Sequence, residues 1–326
     1  MMILSRRRRR IEPQSRKQKA EKTMGETTKI KWCDSTANWW TVCTEVSPGC
    51  ANCFARELAR RYGWGGGKWG KGVPRHKFTG AAKSLAALNR KPRVCEGCGA
   101  ALTEQQMRGN KEICSCIARC HPRRIFHGDL CDILDPEAPV EWLAEWLDGI
   151  RQADQCEHII CTKRPELWGG RVETVLKWLE AADCKWPASG YSSLPLRNWL
   201  ADWFVLRRAP ANLTVLTSVE SQEQDRRIDD LLRIPAARRG LSMEPLLGLI
   251  DMDQRNMDGI DWIIIGGESG SKARPCNVEW IRSLVRQGEA AGVPVFVKQL
   301  GSNPNFEVET EPGVKTQVLD HLDIHH

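Results

Sequence analysis

The 326-residue sequence contains no apolar run near the roughly 18–20 residues that a membrane-spanning helix needs. Its first apolar stretch, residues 1–4, is too short for a secretory signal and precedes its basic residues instead of following them. Together these absences predict a cytoplasmic protein with no membrane role, whose thiols stay reduced. A basic surplus is missing from the body as well, despite a formal net charge of +7. Residues 1–23 carry nine Lys and Arg against two Glu, which leaves 39 basic and 39 acidic residues in the other 303. The surplus lies in a segment too polar to pack, expected as a disordered extension over residues 1–27. There is also no dinucleotide-type glycine fingerprint after the first strand. The Gly-rich stretch 62–80 does not have the spacing of a phosphate-cradling loop. That stretch reads as a surface loop, with a lid over a site as the alternative.

Cysteine, by contrast, is abundant: fourteen is a high count for a cytosolic chain. Cys33, Cys131, Cys156, Cys161, Cys184 and Cys276 are scattered and read as small buried apolar residues. The others form two clusters. In the first, "VCTEVSPGCANCFAREL" (42–58), Cys43, Cys50 and Cys53 have the spacing C-x6-C-x2-C and a helix follows them. Three ligands are one short of a structural zinc site, and an odd number argues against closed disulfides. Soft thiolates on one short loop suit an iron–sulfur cluster with one iron left open, with zinc completed by a distant ligand as the competitor. Pro48 and Gly49 supply a turn, and the helix beginning near Cys53 aims its amide dipoles at an anionic cluster. The second cluster holds Cys95, Cys98, Cys114, Cys116 and Cys120, followed by His121. Four of these five thiols predict a zinc-ribbon-like insertion over residues 94–121, with a second iron–sulfur cluster as the runner-up.

Beyond residue 120, short apolar runs alternate with stretches of helical period. Each run ends in groups able to hold a polar ligand. The ends carry Asp129 and Asp132, then Lys163 and Arg164, Glu220, Glu244, the triplet Gly266-Gly267-Glu268, and Lys298 with Gln299. Helices are expected over 140–153, 171–182, 222–234 and 278–291, and a first strand over 39–43. Residues 184–212 read as an irregular Trp-rich insertion. The pattern predicts an α/β fold, a partial (β/α) barrel of six to seven parallel strands over residues 28–302, with a tail over 303–326. Function then belongs at the C-terminal ends of the strands, where the three cysteines also fall.

The blocks "TKIKWCDSTANWW", "VCTEVSPGCANCFA", "CTKRPE", "LSMEPLLG", "IIIGGESG" and "ARPCNVEWIRSLVRQGEAAGVPVFVKQLG" run in order from about residue 28 to residue 301. They resemble the phage-associated three-Cys-motif family, a domain of unknown function that itself looks like a divergent branch of the radical S-adenosylmethionine (SAM) superfamily. The resemblance implies a [4Fe–4S] cluster on Cys43, Cys50 and Cys53, with SAM on the open iron. It also implies reductive cleavage to a 5′-deoxyadenosyl radical, fed by a reductant such as flavodoxin or ferredoxin. Two features depart from that superfamily: its first cysteine gap is three residues rather than six, and its Gly-Gly-Glu follows the second strand rather than a late one. Asp129 is therefore the candidate for the amino-group contact. Lys163, Arg164, Glu220, Gly266, Gly267 and Glu268 are further cofactor-binding candidates, and Glu244, Lys298 and Gln299 are catalytic candidates. The expected reaction is modification or repair of a substrate such as a nucleic acid or nucleotide. The alternative is a non-enzymatic, zinc-stapled module that binds nucleic acid or a protein.

Overall fold

The computed structural model describes residues 24–103, 119–181, 193–252, 255 and 257–306. Seven strands run parallel and neighbour one another in chain order: β1 (Ser35–Ala37), β2 (Arg124–His127), β3 (Glu157–Thr162), β4 (Leu213–Ser218), β5 (Arg238–Met243), β6 (Trp262–Gly266) and β7 (Val295–Gln299). Sequential order without reversal is the topology of a barrel and not of a doubly wound sheet. The sheet curls but does not close. The outer edge of β1 pairs antiparallel with Met24–Gly25 instead of with β7, so the architecture is a half-barrel.

The central strands β4 and β6 are buried on both faces because both are covered. All six residues of β4 are buried. The outer face packs on helices between the strands, including α3 (Val140–Gln152), α4 (Trp168–Ala181), α6 (Arg227–Arg233) and α7 (Val278–Ala290); α1 (Phe54–Tyr62), α2 (Ala81–Asn89) and α5 (Leu194–Phe204) are the other α-helices among the described residues. α7 shows how sequence dictates this layer. Asn277 caps it by accepting from the Glu279 amide at 2.9 Å, and Val278, Ile281, Leu284 and Gly288 turn one face to the sheet. A Cβ on Gly288 would run into Val295 of β7, so the helix sits closer than any other residue would allow there. Gly292 ends the segment at φ 68°, the left-handed turn expected of it.

The inner face is filled by a plug from the chain ahead of β1. Trp32 and Cys33 are buried against Ile159, Leu216 and Ile264. The Trp32 ring meets Phe126 of β2 edge-on at 4.7 Å and Trp262 of β6 at 5.9 Å, reaching across the lumen. The plug closes the bottom and middle of the half-barrel and leaves space at the top, where the strands end.

Three expectations are corrected. The first parallel strand is Ser35–Ala37 and not 39–43; Trp40–Thr41 instead pairs antiparallel with His76–Lys77. The insertion at 184–212 is not wholly irregular, since α5 lies within it and buries Leu196, Leu200 and Trp203. The helix expected over 222–234 is a short turn, Gln222–Gln224, followed by α6. Between α2 and β2, three short strands form an antiparallel sheet: Arg93–Cys95 lies between Ala101–Leu102 and Cys120–Pro122. Cys95 and Cys120 are register partners in it. Gly99, at φ 70°, turns the chain so that its amide reaches the Cys95 carbonyl at 2.8 Å. Cys114 and Cys116 lie outside the described residues, as do residues 1–23, Cys184 and the tail beyond 306.

Candidate functional site

A cavity of about 300 Å³ opens at the C-terminal ends of the strands. Asp129 follows β2 into its wall, Lys163 and Arg164 follow β3, and Ser218 ends β4. Ser242 and Glu244 stand at the end of β5, Glu268 follows β6, and Lys298 belongs to β7. Cys43, Cys50 and Cys53 line the same cavity. The loop bearing them leaves the Trp40–Thr41 strand through Val42, a buried β-branched residue at φ 75°. A valine in the left-handed region is strained, and the surroundings must hold it there.

Four arginine–carboxylate pairs provide that support, two of them at Thr44, one at Ser47 and one at Pro48 and Asn52. Arg75 pairs with Asp135 at 2.6 Å, and both contact Thr44. Arg164 pairs with Asp132 at 2.8 Å, donates to the Thr44 carbonyl, and lays its guanidinium 3.7–3.8 Å from Cys43 Sγ. Arg227 pairs with Glu220 at 2.9 Å, and Glu220 accepts from the Ser47 hydroxyl. Arg274 pairs with Glu268 at 2.5 Å and donates to the Pro48 carbonyl at 2.9 Å, while Asn52 donates to Glu268 at 2.9 Å. Gly49 passes so close to Glu220 that an added Cβ would stand 2.8 Å from its Oε1. Buried charges are tolerable only when paired and hydrogen-bonded, and here each pair spends its remaining valences on the loop backbone or its side chains.

The same pairs set the electrostatics. Burial pushes the Cys43 thiol up to about 12, with Asp132 adding to the rise and Arg164 opposing it. The Cys53 thiol is raised, chiefly by burial, while the amides of Ala55 and Arg56 pull it down. Those amides open α1, for which Cys53 is the N-cap, so the expected helix terminus does face this sulfur. Burial alone would raise Glu220, but Lys163, Arg227 and Ser47 outweigh it and hold the carboxyl below its ordinary value. Glu268 is likewise opposed by burial, yet its bonds from Arg274 and Asn52 bring it to about 2. Asp129 is raised by burial, although Asn38 donates to it at 2.5 Å.

Of the residues expected at the site, Asp129, Lys163, Arg164, Glu244, Glu268 and Lys298 line the cavity with the three cysteines. Gly266, Gly267, Glu220 and Gln299 stand behind that lining. Gly267 is needed for close approach, because a Cβ there would collide with the Leu300 carbonyl. Gln299 donates to Glu244 and to the Gly267 carbonyl, both at 3.1 Å, and Lys298 pairs with Glu244 at 2.6 Å. Two thiols read as ordinary core residues also reach the cavity. Cys131 lines it with its thiol raised well above the ordinary value by burial, and Cys161 stands 3.5 Å from the Ser218 hydroxyl. Their position in the sequence was the available signal, since each is at or just beyond a strand end, with Asp132 directly after Cys131 and Lys163 two residues after Cys161. Trp69, from the Gly-rich stretch 62–80, lines the cavity too. Cys95, Cys98 and Cys120 are not among the residues that line it.

Among the described residues no group of three or more His, Cys, Asp or Glu is close enough to hold a single metal ion. The donors of a cluster need not meet that condition, because each thiolate takes a different iron and the ligands stand around a space. Three thiols on one cavity wall, faced by Arg164, Lys163 and a helix N-terminus, fit that donor set in number, softness and charge. Among the described residues no helix is long and apolar enough to cross a membrane. Over residues 27–323 the sequence matches the family described as "Protein of unknown function (DUF5131)". No curated protein and no solved structure matches it.

Proposed function

The chain belongs to the DUF5131 family, and from that premise we propose that it is a cytoplasmic radical SAM-type enzyme. Cys43, Cys50 and Cys53 hold a [4Fe–4S] cluster and the cavity beside them receives SAM. When bound, that pair supplies the means of taking a hydrogen atom from an unreactive carbon, with electrons from a protein such as flavodoxin or ferredoxin. The observation that carries the reading is the clamped loop: the three thiols share one cavity with a polar group from nearly every strand end. Arg164 balances thiolate charge at Cys43, and the α1 amides do so at Cys53. In this reading Asp129 takes the amino group of SAM and Lys163 its carboxylate, a role supported by the presence of both in the cavity lining. Glu244 and Lys298, ion-paired in the same lining, are the groups that would hold or move a proton on a substrate.

Protein prepared without oxygen should be brown, carry about four irons per chain and release 5′-deoxyadenosine on addition of dithionite and SAM. Cys53→Ala should abolish that release. A colourless protein whose only metal is zinc would overturn the reading. A second reading, a non-enzymatic zinc-stapled module, is favoured by one observation: Cys95 and Cys120 face each other across two strands beside Cys98. It predicts one zinc per chain that survives Cys43→Ala and is lost in Cys95→Ser. Such a zinc could also coexist with the cluster.

A further inference from the structure

Residues 24–326 carry equal numbers of basic and acidic side chains, but the balance is uneven along the chain. Residues 54–77 hold seven Lys and Arg against the single Glu57, so the rest of the body is acidic by the same margin. This segment is α1 and the Gly-rich loop after it, and it forms one side of the cavity mouth through Phe54, Ala55 and Trp69. Four of its cations are used internally: Arg75 and Lys77 pair with Asp135 and Glu145, Arg56 contacts Glu45, and Arg60 pairs with Glu57. Arg61, Lys68 and Lys71 are exposed and have no acidic partner among the described residues, and Lys68 and Lys71 flank Trp69. Phe54 is 55% exposed at the same mouth.

We propose that this rim is a nucleic-acid-binding surface: Arg61, Lys68 and Lys71 contact the phosphates of a single strand while Trp69 and Phe54 stack its bases at the cavity entrance. Cations without acidic partners, interleaved with aromatic rings, are what sequence-tolerant single-strand recognition needs, because every base has a face to stack and every linkage a charge. The backbone permits the close approach this requires. Gly66, Gly67, Gly70 and Gly72 all have positive φ, and a Cβ on Gly66, Gly70 or Gly72 would meet open space, so the loop offers its main chain unscreened. The proposal rests on reading the cavity as an active site and names the substrate that would be presented to it.

The test is binding of a fluorescent single-stranded DNA or RNA 12-mer to full-length protein across a salt series, read without turnover. Neutralising Arg61, Lys68 and Lys71 together to Ala should flatten the slope of log affinity against log salt by about 2, three contacts at roughly 0.7 each. Trp69→Ala should weaken binding about fivefold or more with the slope unchanged, as loss of one stacking platform does. Because residues 1–23 are themselves basic, both variants are compared in the full chain, where that segment contributes equally. Affinity and slope unchanged in the triple variant would overturn the proposal, as would a polyglutamate of matched charge competing as well as the oligonucleotide. Loss of binding in a protein that still holds iron, or binding by a protein that holds none, separates this proposal from the radical reading.

Discussion

Lowering pH from 7.5 to 5 should destabilise this protein through a buried pair of histidines behind the barrel. Trp146 Nε1 donates to His127 Nδ1 at 2.8 Å, which leaves the His127 proton on Nε2, 2.8 Å from His158 Nδ1. His158 must then donate from Nε2 to the Ala153 carbonyl, also at 2.8 Å. Every nitrogen is used once, and both rings are neutral and fully buried. Burial lowers His158 to about 4 and holds His127 well below the ordinary value, with His158 adding to the effect. In the unfolded chain each titrates near 6.5. Below that pH the unfolded state takes up a proton that the folded state refuses, so stability is complete above 6.5 and falls as pH drops toward 4. For His158 alone the loss between pH 7.5 and 5 is about 2 kcal/mol, and about 3 kcal/mol by pH 4. Urea unfolding at the two pH values measures it, in the native protein and in His158→Gln. The variant should be less stable at pH 7.5 but lose less on acidification, by about 2 kcal/mol. Equal losses in both proteins would show that the pair is not the origin of the acid sensitivity.

Three substitutions probe the clamp around the cysteine loop. Arg164→Met leaves Asp132 as a buried carboxylate without its guanidinium; it should cost about 3–5 kcal/mol in urea unfolding and expose Cys43 to alkylation in the folded state. Glu268→Gln keeps the shape but removes the charge that Arg274 and Asn52 address. A loss of about 2–3 kcal/mol is expected, and iron content of anaerobically prepared protein should fall with it. Gly267→Ala forces a methyl group onto the Leu300 carbonyl and should lower the melting temperature by an amount equivalent to about 1–3 kcal/mol; an unchanged melting curve would contradict the close approach of the two loops.

The strands of the half-barrel could be read from the sequence because each is a buried apolar run with an abrupt polar end, and such runs have few other uses. β1 could not. "STA" is short and half polar, whereas the neighbouring "WWTVC" has the composition of a strand and is spent on a two-residue ribbon with His76–Lys77 and a strained Val42. The cysteine loop was legible from spacing alone, but its supports were not. Arg75, Glu220 and Arg274 are far apart in sequence from Thr44, Ser47 and Pro48, and nothing local marks them as partners. The late Gly-Gly-Glu is instructive in the same way. Its residues look like a ligand-binding turn, yet Gly267 is required by a crossing backbone and Glu268 is engaged with Arg274 and Asn52.

That engagement bears on how the site is assembled. A small metal-stapled module folds around its ion, because the liganding segment has no other source of order. Here the loop from Cys43 to Cys53 is held at Thr44, Ser47, Pro48 and Asn52 by groups that follow β2, β3, β4 and β6, and of its thiols only Cys43 meets one of these groups, Arg164, among the described residues. The loop should therefore be formed before any cluster arrives. Opening it means separating at least one buried arginine–carboxylate pair from its contact, at a cost of about 3 kcal/mol or more. That corresponds to amide exchange slowed by at least about 100-fold. Hydrogen exchange on metal-free protein prepared with chelator should show that protection at Cys50 and Cys53, whose amides bond to Ser47 and Cys50 carbonyls at 2.9 and 3.3 Å. Exchange at the rate of an unstructured peptide in the metal-free protein, with protection appearing only on reconstitution, would mean that the cluster organises the loop and that the four ion pairs follow it.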